Sequence, residues 1–133
     1  MIRFINPVNV LLRTINFYRP DLSAAILFYD KTDVSDYFGN DDIYLNAIID
    51  TFNNTGSTVM FSKYDNDPAL IIIGTNLTTE QAIDRIIHEL AHVISGSRDG
   101  HGLLWESAKE ELESIQQKTK DVLTNAQYVK VEG

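Results

Sequence analysis

The chain has 133 residues, 44% of them hydrophobic, with 19 acidic against 11 basic side chains and a formal net charge of −8. This length fits one domain over 1–133, and the hydrophobic share is that of a folded chain, not a disordered one. With no cysteine, disulfides, thiolate metal sites and a cysteine nucleophile are excluded, and so acidic a surface suits phosphate backbones poorly.

The opening "MIRFINPVNVLLRTINFYRP" is interrupted by Asn6, Pro7, Asn9 and Arg13, so it lacks the unbroken apolar core of a signal peptide. No apolar run reaches the ~18 residues of a membrane span, and the expected location is cytoplasmic. Asn6 and Pro7 read as an N-cap and a first helical position, which predicts a helix over about Val8–Tyr18 ended by Pro20. Leu22–Asp30 fits helix or strand equally by periodicity. In "DDIYLNAIIDTFNNTG", Asp41 or Asp42 caps a helix, Ile43, Ala47 and Ile48 recur at helical spacing, and Gly56 closes it. Two β-rich runs, Thr58–Tyr64 and Ala69–Thr75, flank the turn Asp65-Asn66-Asp67-Pro68 and predict a hairpin. Thr78 followed by Gln81 is a capping box, opening a helix that runs to about Ser95 and stops at Gly96. A last helix spans about Leu103–Thr124, and the tail "NAQYVKVEG" is frayed or strand-like. The expected fold is α+β with helices dominating, a small antiparallel or mixed sheet packing on the Thr78–Ser95 helix and the C-terminal helix.

All three histidines lie between His88 and His101. At ~100° per residue, His92 falls about 40° from His88 and Glu89 about 100° from it. Ile83, Ile86, Ile87, Leu90, Val93 and Ile94 occupy the opposite side, between about 140° and 260°. Two histidines at i and i+4 stack one turn apart, so both imidazoles can reach one ion. Glu89 lies beside them, where a general base for a metal-bound water belongs. His101 follows a loop rich in small and polar residues that can fold back over the helix. Three protein ligands with an open fourth position define a catalytic zinc site, and neutral imidazoles suit zinc.

His88-Glu89-Leu90-Ala91-His92, a loop, and then His101-Gly102-Leu103-Leu104-Trp105 resemble the SprT-like (Spartan-type) zinc metallopeptidases, whose pattern is HExxH followed by HGxxW. The resemblance covers about Ile71 to Leu112. It implies a zincin-like minimal metallopeptidase core in which His88, His92 and His101 bind one zinc ion and Glu89 activates the water. It also implies that the strand Ala69–Thr75 borders the cleft, where a peptide or protein substrate could add as an extended strand. Many family members carry a cysteine-rich zinc ribbon, which this cysteine-free sequence lacks. Members acting on DNA-bound proteins use basic surfaces. Here no short window holds more than two basic residues, so nucleic acid is not an expected partner.

Several neighbours have a plain reading beside a chemical one. Trp105, the single tryptophan, reads first as the core anchor of the last helix, since indoles bury large areas, and second as a substrate contact. Asp84, one turn before His88, and Asp99 in the loop read as solvated, or as partners orienting an imidazole. Arg98 is a solvated loop arginine or an oxyanion partner. Glu106, Glu110, Glu111 and Glu113 form the wet face of the last helix. Glu110 and Glu111 carry one more reading, because another group of HExxH peptidases takes a glutamate from a downstream helix as third ligand. The ImmA/IrrE-like regulators, which often read HELAH, belong there. His101 is the expected ligand, since it completes the longer motif. A non-catalytic zinc module is the rival from a different class, and Glu89 argues against it, because a structural site has no use for a base. A metal-dependent nuclease is disfavoured by the net charge and the ligand spacing.

Overall fold

A computed structural model of the chain describes residues 4–30, 43–61, 68–96, 100–125 and 129–130. Within them the order is β1 (Phe4–Ile5), α1 (Pro7–Tyr18), β2 (Ala24–Tyr29), α2 (Ile43–Thr55), β3 (Ser57–Met60), β4 (Ala69–Gly74), α3 (Thr79–Ser95), α4 (Leu103–Asn125) and β5 (Val129–Lys130). The architecture is α+β, with four helices and a mixed three-stranded sheet among the described residues. None of these helices is long and apolar enough to cross a membrane.

Local chemistry starts the helices where expected. The Asn6 side chain accepts from the backbone N–H groups of Val8 and Asn9, and Pro7 opens α1. The Thr78 hydroxyl accepts from the Gln81 N–H at 3.2 Å, while the Gln81 side chain accepts from the Thr78 N–H at 3.0 Å. Both arms of the capping box are therefore closed. Thr78→Ala is expected to cost about 1 kcal/mol of stability by opening one arm, read as a lower urea midpoint with an unchanged slope. No loss of stability would mean that tertiary packing alone fixes the start of α3. The Asp41 and Asp42 caps and the turn residues Asp65, Asn66 and Asp67 lie outside the described residues.

The ambiguous Leu22–Asp30 stretch contains a strand, β2, paired parallel with β4 from Ala24↔Ala69 to Tyr29↔Gly74. The expected hairpin is present, with β3 antiparallel to β4 from Ser57↔Ile73 to Met60↔Leu70. At the ends of the described chain, β1 pairs parallel with β5, so the tail contains a short strand.

The sheet order is β2-β4-β3, which explains why β4 reads as an unbroken apolar run. It is central and covered on both faces, whereas alternation belongs to strands with one wet face. Ile71 and Ile73 face one way, into a core built with Leu11 and Ile15 of α1, Ile86 and Leu90 of α3, and Leu112 of α4. Ile72 faces the other way, against Ile49 and Phe52 of α2. Ile71, Ile72 and Ile73 are completely buried, and full burial of such a side chain stabilises by roughly 1.5–3 kcal/mol relative to exposure. The helix pair α3 and α4 is thereby fixed against one face of the sheet.

This topology corrects one expectation. Ala69–Thr75 does not offer a border to an incoming strand, because β4 has β2 hydrogen-bonded on one edge and β3 on the other. The strand that lines the cleft beside the histidines is β3, and among the described residues it is paired on one edge only.

Candidate metal centre

His88 and His92 project from adjacent turns of α3, and His101 comes from the turn that leads into α4. Just before it, Gly100 has φ +59, a left-handed conformation that glycine adopts without steric cost. The His88 and His92 Nε2 atoms are 3.3 Å apart, and the His88 and His101 Nε2 atoms are 3.1 Å apart. Two nitrogens each ~2.05 Å from one tetrahedral ion stand ~3.3 Å apart, so these two spacings suit a shared metal, and all three ligand atoms lie within 4.8 Å of one another. Among the described residues, His88, His92 and His101 form the one group of ligating side chains able to hold an ion. Burial, reinforced by the positive charge of Arg85, pushes the His88 pKa down to about 4. Its imidazole is therefore neutral at neutral pH, the form that ligates.

Trp105 packs against the core, as its first sequence reading expected, and it also meets the histidines. Its ring centroid lies 5.0 Å from that of His88, 5.8 Å from His92 and 4.6 Å from His101. Its Nε1–H donates to the His88 carbonyl oxygen at 3.2 Å. The indole thus backs all three imidazoles and ties α4 to α3 at the ligand-bearing turn. Lys109 covers it, with Nζ 5.4 Å from the ring centroid.

Glu89 departs from the helical-wheel picture. Although it sits some 100° from His88, it is only 2% exposed, because β3 covers that flank of α3. Its Oε1 lies 3.8 Å from His88 Nε2. Arg85 Nη2 is 3.5 Å from the same oxygen, and the Ser57 hydroxyl is 3.4 Å from it. Burial pushes the Glu89 carboxyl up to about 7, against the opposing pull of Arg85 and Ser57.

Ser57 follows Gly56, whose φ of +83 strains any other residue and whose Cβ position stands 3.0 Å from the Leu77 side chain. The Gly56 turn delivers Ser57 onto β3, facing Glu89. Sequence reasoning missed both Ser57 and Arg85. The i,i+4 spacing of Arg85 and Glu89 was the available signal, whereas Ser57 lies 32 residues from Glu89 and gave none.

A cleft of about 440 Å³ runs along this site, with Thr58 and Val59 of β3 on one wall and His88, Glu89, His92 and His101 on the other. Asp84 is exposed, and among the described residues it makes no hydrogen bond to an imidazole. Arg98 and Asp99 lie outside the described residues. Glu106, Glu110 and Glu113 are exposed, as expected of a wet face. Glu111 Oε1 accepts from Arg19 Nη1 at 2.7 Å, joining α4 to the end of α1. No protein-family model, curated protein or solved structure matches the chain.

Proposed function

We propose that the chain is a zinc-dependent peptidase with a zincin-like core, its zinc held by His88, His92 and His101. One observation carries this reading: three imidazoles converge at metal-sharing distances with a buried carboxylate beside them. Held by these three imidazoles, zinc would supply a water of lowered pKa, towards ~7, and a Lewis acid for a substrate carbonyl.

The protein's own groups supply the rest. Glu89 serves as general base: it takes a proton from the attacking water and passes it to the departing amine nitrogen. Its Oε1 is engaged by Ser57 and Arg85, while Oε2 makes no hydrogen bond among the described residues. Oε2 is therefore the oxygen left to carry that proton. The outer edge of β3 lines the cleft with Thr58 and Val59, so an extended peptide can add there as a further strand. Trp105 keeps the imidazoles from turning away. With a net charge of −8, the partner is a peptide or protein and not nucleic acid.

The test combines metal content with cleavage. Protein purified without added metal is expected to carry one zinc per chain and to cleave an unstructured protein such as casein. Chelation should abolish cleavage, and added zinc should restore it. A chain that stays metal-free when offered zinc, or a zinc-loaded chain that leaves every unfolded substrate intact, would sink the reading.

A further inference from the structure

We propose that Arg85 and Ser57 form a clamp that holds the Glu89 carboxylate off the metal and so keeps a fourth coordination position open. The inference rests on the hydrolytic reading above and deepens it.

The need for a clamp follows from distance. Glu89 Oε1 is 3.8 Å from His88 Nε2, about half an ångström more than two ligand atoms on one tetrahedral ion require. Carboxylate oxygens are good zinc ligands. A carboxylate that swung onto the ion would convert an open site into a closed one and remove the base from its task.

The contacts that oppose this rotation come from two elements. Arg85 Nε donates to Ser57 Oγ at 2.7 Å, the tightest contact in the group. A guanidinium can only donate, so Ser57 Oγ accepts from it and the serine's own proton is free to point at Glu89 Oε1, 3.4 Å away. Arg85 Nη2 reaches the same oxygen at 3.5 Å. Ser57 is completely buried, and its position is set by pairing with Ile73 on β4. Arg85 stands one turn before Glu89 on α3. The carboxylate is thus gripped from the sheet and from its own helix at once. Arg85 cannot itself become a ligand, because it stays protonated. Both residues are positioning residues: they act on the reaction only through Glu89.

The test uses the full chain loaded with Co2+ in place of zinc, because cobalt absorption reports which ligands surround the metal. Wild-type protein is expected to give the intense visible bands of a four-coordinate site. Arg85→Gln should bind one metal per chain but show shifted bands, as the released carboxylate takes the fourth position from water. Adding Glu89→Gln to Arg85→Gln should return the bands to the wild-type form. In the zinc-loaded protein, Arg85→Gln should lower kcat about 10–100-fold, the usual cost of losing a partner of this kind, with KM unchanged. Ser57→Ala deletes only a hydroxyl, and it should shift the bands in the same direction should Arg85→Gln fail to fold. Cobalt spectra of folded Arg85→Gln and Ser57→Ala superimposable on the wild type would overturn the clamp. The two ideas fail separately. Shifted bands reversed by Glu89→Gln, in a protein that cleaves nothing, keep the clamp and end the hydrolytic reading. Cleavage by the wild type, with spectra and kcat unchanged in both variants, does the opposite.

Discussion

Glu89→Gln is expected to leave fold and zinc content intact and to lower peptide hydrolysis by about 10²–10⁴-fold. Glutamine has the same shape, and its amide oxygen can still accept from the Ser57 hydroxyl and from Arg85 Nη2, the two donors that meet Glu89 Oε1. Glu89 itself is nearly sealed from solvent, and placing a neutral amide there avoids the desolvation that opposes the charged carboxylate. Arg85 loses its ionic partner, but its side chain is 24% exposed, so water screens much of the change. Stability should therefore move little, while the group that carries the proton is gone. Elemental analysis and a thermal melt check the first half of this expectation, and initial rates on an unfolded substrate check the second. Equal rates in the two proteins would take Glu89 out of the reaction. The same comparison separates an enzyme from a zinc module, since a module has no activity for the substitution to lower.

The parts of this fold that were legible in the sequence are those set by neighbours in the chain. Thr78 and Gln81 close a capping box whatever surrounds them, and the i,i+4 pair His88 and His92 falls on one side of a helix by geometry alone. The hairpin of β3 and β4 was legible because its two β-rich runs lie close together. What depended on distant pairing was not. Leu22–Asp30 becomes a strand only because β4, some 45 residues on, offers Ala69–Gly74 as a parallel partner. The central place of β4 has no local signature either, since an apolar run marks burial on both faces without saying which strands lie beside it. The same limit explains Glu89. A helical wheel assigns it an angle, but burial depends on what lies across that flank, and there it is Ser57 of β3. The three histidines that could hold a metal were readable because they are close in sequence. The residues that contact Glu89 were not, because one of them is brought in by the sheet.

The last expected result concerns the third ligand. His101→Ala should weaken zinc binding by more than ~100-fold, beyond the ~10–100-fold that loss of an outer partner costs, whereas Glu110→Gln and Glu111→Gln should leave affinity nearly unchanged. The geometry of α4 is the reason. Trp105 presents the face of α4 that meets the imidazoles, and Glu110 is rotated about 140° from it at ~100° per residue. Glu111 lies about 120° from it on the other side and is held by Arg19 Nη1 at 2.7 Å, against the end of α1. Bringing either glutamate to the metal would require α4 to roll about its axis, removing Ala108 and Leu112 from the core they share with Ile86 and Leu90. His101 needs no such movement, since its Nε2 already stands 3.1 Å from that of His88. Glu111→Gln should therefore be felt only at the exposed contact with Arg19, a change of well under 1 kcal/mol in stability. Competition with a chromophoric chelator measures the affinities directly. Tight binding by His101→Ala together with weak binding by either glutamate variant would hand the third position to α4 and move the chain to the glutamate-ligand peptidases.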